Sequence, residues 1–267
     1  MRKGSRLNHI IEMPMTDIRI IVASHKPYWM PEESIYLPVF AGAKGKESIG
    51  YTPDDSGDNI SEKNPHYCEL TALYWAWKNL PAEYLGLAHY RRHFTWPEAR
   101  GSVFEKVISS AKLKPLLSET DIILPKPRNY FIETNYSQYI HAHHAADLDI
   151  TREILSEQYP EYILSFDRSM KKTIGHRFNM FIMKRHYADA YCEWLFSILF
   201  ALEKRLDITG YSPNDARVFG FVGERLLDVW IEANRVEYKE LPYIFLEKEN
   251  WIRKGSAFLL RKFGERK

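Results

Sequence analysis

The chain has 267 residues, a formal net charge of +2, 45% hydrophobic residues and 27% charged residues. It is long enough to bury a sizeable core in one large or two small domains, and its ordinary apolar and charged content excludes a disordered or low-complexity chain. A balance so near neutral argues against a dedicated nucleic-acid binder, and no stretch approaches the roughly 18 apolar residues of a membrane-spanning helix.

Residues 1–17 are mixed and polar and read as a loose tail. They lack the continuous apolar core of a signal peptide, so a cytoplasmic location is expected. Order begins with the β-branched run Ile18–Ala23, a predicted strand that leaves through Ser24, His25 and Lys26 into Pro27. Small and basic residues there suit a nucleotide cradle, and equally a plain strand end. Residues 28–65 are rich in loop formers. The turn at 54–59 carries Asp54, Asp55 and Asp58 beside Asn59, a set that suits either a hydrated cation or a surface turn with capping acids.

From Pro65 to Leu80 apolar residues recur three and four apart and predict one amphipathic helix, with Glu69 near its start where the helix dipole favours a carboxylate. The short apolar run Tyr84–Ala88 reads as a buried strand. It stops at His89, Tyr90, Arg91, Arg92 and His93. Ligands of open α/β sheets bind outside the carboxyl ends of such strands, and two adjacent arginines there form a cationic fork for phosphate or carboxylate. A solvated basic turn is the plainer reading.

A helix within 103–117, broken by Pro115, precedes a strand at 121–125. His141, His143, His144 and Asp147 invite a metal site. The spacing of two between His141 and His143 splays them on a helix, so aromatic packing or acceptor contacts are favoured over a metal. Asp147–Asp149 opens a helix over 150–159, with Thr151 as a further candidate cap. Arg177 and Asn179 precede a strand at 180–183, and a long helix with one buried face spans about 186–206. A further helical pattern over 214–232 carries Asp215, Arg217, Glu224 and Arg225. It is interrupted by Gly220 and Gly223, which predict close approach of a backbone or a ligand. Residues 236–245 read as an edge strand interrupted at Pro242, and 251–267 as a basic amphipathic tail, either packed on the domain or lying on an anionic membrane. Cys68 and Cys192, the two cysteines, fall in apolar helical patterns and read as buried thiols of a reducing compartment.

Walker, Rossmann, nucleophile-elbow and zincin motifs are absent. Strand, helix and strand in alternation predict an α/β domain over 18–250. A cationic strand end with scattered carboxylates suits group transfer from a leaving diphosphate: fixed cations neutralise the leaving group, and a carboxylate takes the acceptor proton. For that base the sequence favours Glu224, whose neighbouring glycines allow close approach, with Asp215 second. A Glu224 paired with Arg225 or Arg217 on a helix surface is the alternative.

Five stretches, Ile20–Lys26, Asp55–Ser61 with Tyr67–Thr71, Gly86–Arg92, His176–Phe181 and Arg217–Leu227, together resemble a bacterial capsular and exopolysaccharide glycosyltransferase family first catalogued as a domain of unknown function. The resemblance runs in order over most of 18–245. It implies a GT-A-like single domain with a mixed, mostly parallel central sheet flanked by helices, a nucleotide-sugar donor and a saccharide or lipid-linked acceptor, with UDP-galactofuranose and inversion as candidates. On that reading Ala23, Ser24, His25, Lys26, Asp58, Asn59, His89, Tyr90, Arg91 and Arg92 face the donor, and Arg177, Asn179 and His144 the sugar or acceptor. Metal-dependent GT-A enzymes end a central strand in Asp-x-Asp to grip Mn²⁺ or Mg²⁺. Here that place holds His89-Tyr90-Arg91-Arg92, so no metal site is expected and Arg91 and Arg92 stand in for the cation; if a metal is used, Asp54, Asp55 and Asp58 are its first suspected ligands. The location expected is the cytoplasm, with peripheral contact at the inner face of the cell membrane through 251–267. Two other readings remain open, a non-catalytic nucleotide- or carbohydrate-binding module and a phosphoryl or nucleotidyl transferase.

Overall fold

The computed structural model of the protein describes residues 17–247. The tail expected at 251–267 lies outside them. The first strand, β1 (Ile18–Ser24), is buried almost throughout, and its side chains alternate between two cores. Ile20 and Val22 join one and Ile21 and Ala23 the other, as the two-residue strand period requires of a sheet covered on both faces.

Beside β1 runs β2 (Tyr36–Phe40), a strand in the stretch the sequence marks as loop. Pro38 hides it from the pattern. The next strand, β3 (Thr52–Pro53), pairs only with Val39 and Phe40, so at Pro38 the sheet has an edge where a missing N–H is tolerated. The helix expected over 65–80 is two helices, α1 (Asn64–Tyr67) and α2 (Leu70–Asn79). The break is at Cys68, whose φ of 53° is a left-handed backbone that a helix cannot contain.

On the other side of β1 lies β4 (Tyr84–His89), parallel to it, and a tight turn at Tyr90 and Arg91 leads into β5 (Arg92–Phe94). Then come α3 (Ser110–Leu117), β6 (Ile122–Pro125), β7 (Arg128–Asn129), α4 (Asn135–Ile140), α5 (Ala145–Gln158) and α6 (Ile163–Lys171). The helix α3 is shorter than predicted and runs through Pro115 instead of stopping there. Likewise α5 starts five residues before 150, and Thr151 is no cap: its hydroxyl donates to the Asp147 carbonyl at 2.6 Å.

After β8 (Ile174–Gly175) comes β9 (Phe181–Lys184), which inserts antiparallel between β4 and β6. The chain continues through α7 (Arg185–Arg205) and α8 (Val218–Ala233). Pro242 divides the last predicted strand into β10 (Lys239–Leu241), beside β6, and β11 (Tyr243–Phe245), beside β5. The main path is β10-β6-β9-β4-β1-β2-β3, with the pairings on either side of β9 antiparallel and the others parallel. This is the mixed, mostly parallel sheet that the family resemblance implies. Among the described residues α2, α7 and α8 supply the core on one face, and α3 packs on the other.

Candidate active site

The parallel strands β1, β2 and β4 end at one edge of the sheet, and a cavity of ≈ 520 Å³ opens there. Its floor is Ala23, Ser24, His25 and Ala41 with His89 to Arg92. The α1–α2 junction walls one side through Cys68 and Glu69, and the first turns of α8 wall the other through Arg217, Phe221 and Glu224. Phe178, on the approach to β9, closes it. A wider cavity of ≈ 770 Å³ lies at the opposite edge, among Asp121, His186, Trp230 and Arg235. It is away from the carboxyl ends of the parallel strands and gathers no cluster of arginines, so the smaller cavity is the one the fold equips for a ligand.

The cavity is cationic at its base. Arg91 lies 5.1 Å from the Tyr90 ring centroid and reaches Glu247 at 3.4 Å. Arg92 stacks on Phe178 at 4.3 Å and on Phe245 at 5.2 Å. The two guanidiniums thus have different partners, although both line the cavity. A third, Arg217, comes from the start of α8; its Nε donates to the Cys68 sulfur at 3.1 Å and its guanidinium lies 5.3 Å from the Phe221 ring. The amino-terminal ends of α2 and α8 add the positive end of two helix dipoles to the same space. His25 is held below its usual pKa by burial and by Lys26, and its ring packs edge-on to Tyr90 at 5.4 Å.

Two carboxylates face these cations. Glu224, 20% exposed, accepts from the buried Arg225 at 3.2 Å. Glu69, 12% exposed, accepts from Asn179 Nδ2 at 2.7 Å and lies 3.7 Å from His89 Nε2. Burial raises the Glu69 pKa, partly offset by the Asn179 hydrogen bond. His89 is pushed down to about 4 by burial and then by Arg92. Its Nε2 donates to the Phe178 carbonyl at 2.6 Å, so the neutral ring keeps Nδ1 as an unprotonated acceptor.

The backbone holding this network is unusual. Phe178 and Asn179 are consecutive left-handed residues (φ 74° and 54°) that aim a carbonyl at His89 and an amide at Glu69. Such conformations cost about 1–3 kcal/mol each and persist only where surrounding contacts enforce them. The close approach that Gly220 and Gly223 predict is to protein: a Cβ at Gly220 would lie 3.3 Å from Cys68, and one at Gly223 2.9 Å from Leu70 and 3.3 Å from Asn179. These glycines let α8 close against the carboxylate-bearing junction.

Of the residues singled out in the sequence, the structure brings Ala23, Ser24, His25, His89, Tyr90, Arg91, Arg92 and Glu224 together around the cavity. Asn179 is buried behind Glu69. Lys26 lies over the Tyr28 and Tyr90 rings at 5.8 and 5.4 Å. Asp58 and Asn59 do not line the cavity: Asp58 accepts from Tyr74 at 3.2 Å, and Asn59 bonds the Asp55 and Gly57 carbonyls of its own turn. Asp54 is fully buried and clamps the loop after β2 through the Gly42 and Ala43 amides and Ser61.

Asp215 is drawn to His143 at 3.0 Å and to Ser212 at 2.7 Å, and His144 stacks on Tyr211 at 4.0 Å; neither lines the cavity. Arg177 is an interior residue bonded to the His176 carbonyl and Asn135. Glu69, read in the sequence as a dipole-favoured helix start, is the site residue that reading undervalued. Its position just after the Cys68 break was the missing signal. Among the described residues no three His, Cys, Asp or Glu side chains group so as to hold a metal ion, and no helix is long and apolar enough to cross a membrane.

A family model described as "Domain of unknown function (DUF4422)" matches residues 19–235. No curated protein matches the chain significantly. Among solved structures it is similar to one titled "WbbM bifunctional glycosytransferase apo structure", with 32% sequence identity and a TM-score of 0.81. The match covers 88% of this chain and 46% of the other, so the chain corresponds to about half of that protein.

Proposed function

This chain belongs to the family described as a domain of unknown function, DUF4422, and on that premise we propose that it is a glycosyltransferase. It moves a hexosyl group from a nucleotide-sugar donor to a saccharide or lipid-linked acceptor. The observation that carries this reading is the meeting of Arg91, Arg92 and Arg217 with Glu69 and Glu224 at the carboxyl ends of the parallel strands. The likeness to a solved bifunctional glycosyltransferase supports it. A UDP-linked hexose such as galactofuranose, used in capsule, exopolysaccharide or O-antigen synthesis, is the finer form of the proposal.

In the reaction an acceptor hydroxyl oxygen bonds to the anomeric carbon as the bond from that carbon to the diphosphate breaks. The hydroxyl proton passes to a carboxylate, and the nucleoside diphosphate leaves with its charge met by the guanidiniums. Glu69 is the base in this reading: burial raises its pKa, and the hydrogen bond from Asn179 fixes its orientation. Glu224, tied to Arg225, is placed to hold sugar or acceptor hydroxyls. The arginines supply the positive charge that a Mn²⁺ or Mg²⁺ ion provides in other transferases, so the reaction proceeds without one.

A thermal-shift series with UDP, GDP, CMP and their sugars tests the reading. One nucleotide at a hundred times its Kd is expected to add about 2.7 kcal/mol of stability. Release of that nucleoside diphosphate on adding acceptor then identifies transfer. Stabilisation without release under any acceptor would instead mark a binding module, and stabilisation by none of these ligands would defeat the assignment.

A further inference from the structure

Between β7 and α4 the chain turns at two adjacent large apolar residues, Phe131 and Ile132, which are 80% and 70% exposed. Ile174, on the paired strand β8 opposite Asn129, is exposed as well. Scattered exposed apolar residues are ordinary on a protein surface, but a contiguous cluster is not.

The tip is held out by the fold. Phe131 has a left-handed φ of 60°, and its N–H donates to Asn129 Oδ1 at 2.8 Å. The Tyr130 N–H bonds the Thr173 carbonyl at 2.8 Å and the Asn135 N–H bonds the Lys172 carbonyl at 2.7 Å, so both legs of the loop are tied to the β8 side. Backbone strain and ordered hydrogen bonds thus keep two apolar side chains in water, a combination that points to a partner.

The charge around the tip names its chemistry. Lys126 and Arg128 precede it and Lys171 lies on the other leg, none with a carboxylate in ion-pair range among the described residues, whereas Lys172 is engaged by Glu232 at 2.6 Å. The nearby acid, Glu133, is turned to His141 at 2.6 Å. An apolar tip inside a cationic collar fits the boundary between acyl chains and anionic headgroups.

We infer that the Phe131–Ile132 tip docks on a bilayer containing anionic lipid. The tip lies close to the cavity. Arg128 is 5.7 Å from the ring of Phe178, which lines the cavity, and three extended residues from Arg128 to Phe131 span roughly 10 Å. Docking there brings the cavity mouth to the height of a headgroup, where a lipid-anchored substrate would present its polar end.

Two measurements on the full chain test this, using vesicles of phosphatidylcholine with or without phosphatidylglycerol. Phe131→Cys is labelled with an environment-sensitive fluorophore; native Cys192 is buried, and the Cys68 thiol is pushed up to about 11, so the label favours the new site. Its emission is expected to shift to the blue with phosphatidylglycerol vesicles. The double variant Phe131→Ser, Ile132→Ser is expected to co-sediment with them at least about tenfold more weakly, roughly 1.4 kcal/mol. An unshifted label on vesicle-bound protein would place the contact elsewhere in the chain and overturn the inference. So would unchanged binding of the double variant, or no vesicle binding at all. A lower oligomeric state of the double variant in lipid-free buffer, without a vesicle effect, would assign the tip to a second copy of the chain and likewise overturn it.

Discussion

Asn179 donates through Nδ2 to Glu69 Oε1 at 2.7 Å and to the Gly220 carbonyl at 3.2 Å, joining three walls of the cavity through one amide. The amide can do this because Asn179 is left-handed and because Gly220 and Gly223 leave room for α8 to approach. Its partner, Glu69, is a carboxylate whose basicity is set by burial and whose orientation is set by this bond.

Replacing Asn179 with Ala is expected to lower turnover by about tenfold or more while changing donor affinity little, because a positioned base acts on the chemical step. Glu69→Gln is expected to abolish transfer and retain nucleotide binding. Separate kcat and KM values with calorimetric nucleotide titration decide this. Near-normal kcat in Glu69→Gln, with loss in Glu224→Gln, would move the base to Glu224.

The Arg92 guanidinium lies over the Phe178 ring at 4.3 Å and near the Phe245 ring at 5.2 Å, contacts that suit a planar, weakly hydrated guanidinium better than an ammonium. Arg92→Lys is therefore expected to weaken nucleoside diphosphate binding about tenfold although the formal charge is kept, a difference of about 1.4 kcal/mol. Isothermal titration measures it.

Transfer is expected to continue in excess chelator, since the charge facing the diphosphate is carried by guanidiniums. Nucleotide release assayed with and without chelator reads this out. Complete loss restored by Mn²⁺ or Mg²⁺ would refute it.

His89 and His93 are both pushed down to about 4, His89 by burial and Arg92, and His93 chiefly by burial. Each ring is neutral in the folded protein and takes up a proton near 6.5 once unfolded. Their contribution to stability is complete above the unfolded value and is lost as pH falls through the folded one. Between pH 7 and pH 5 each is expected to remove about 2 kcal/mol. Glu69 acts in the opposite sense: its raised pKa favours folding at low pH and that contribution is lost as pH rises, so Glu69→Gln is expected to raise Tm at neutral pH. Urea titrations across this range, compared with His93→Gln, test the first point; an unaltered slope in the variant would exclude His93 as a source.

Gly86 sits in the middle of β4, and a Cβ there would lie 3.0 Å from Ile182, 3.1 Å from Ile20 and 3.1 Å from the Phe181 carbonyl. Neighbours on both sides have little room to yield. Gly86→Ala is expected to destabilise the fold by about 1–3 kcal/mol, read as a shift in the denaturation midpoint.

Local patterning in the sequence determined most of the elements. The β-branched run of β1, the apolar run of β4 and the single buried stripe of α7 are periodicities carried by neighbouring residues, and each forms where that pattern places it. The same logic put His89, Arg91 and Arg92 at a strand end, and they line the cavity. Only the tertiary structure decided which carboxylate meets them. Glu69 and Asn179 are 110 positions apart and are joined by a break at Cys68 and two left-handed residues that no repeating pattern announces. Asp58, Asp215 and Arg177 are of equally suitable chemical type, yet Tyr74, His143 and Asn135 engage them away from the cavity. A side chain's type is local, but its partners, burial and proton affinity come from segments that packing alone brings together. The residues around Arg91 and Arg92 therefore acquired a definable chemistry only when α2, α8 and the approach to β9 closed over them.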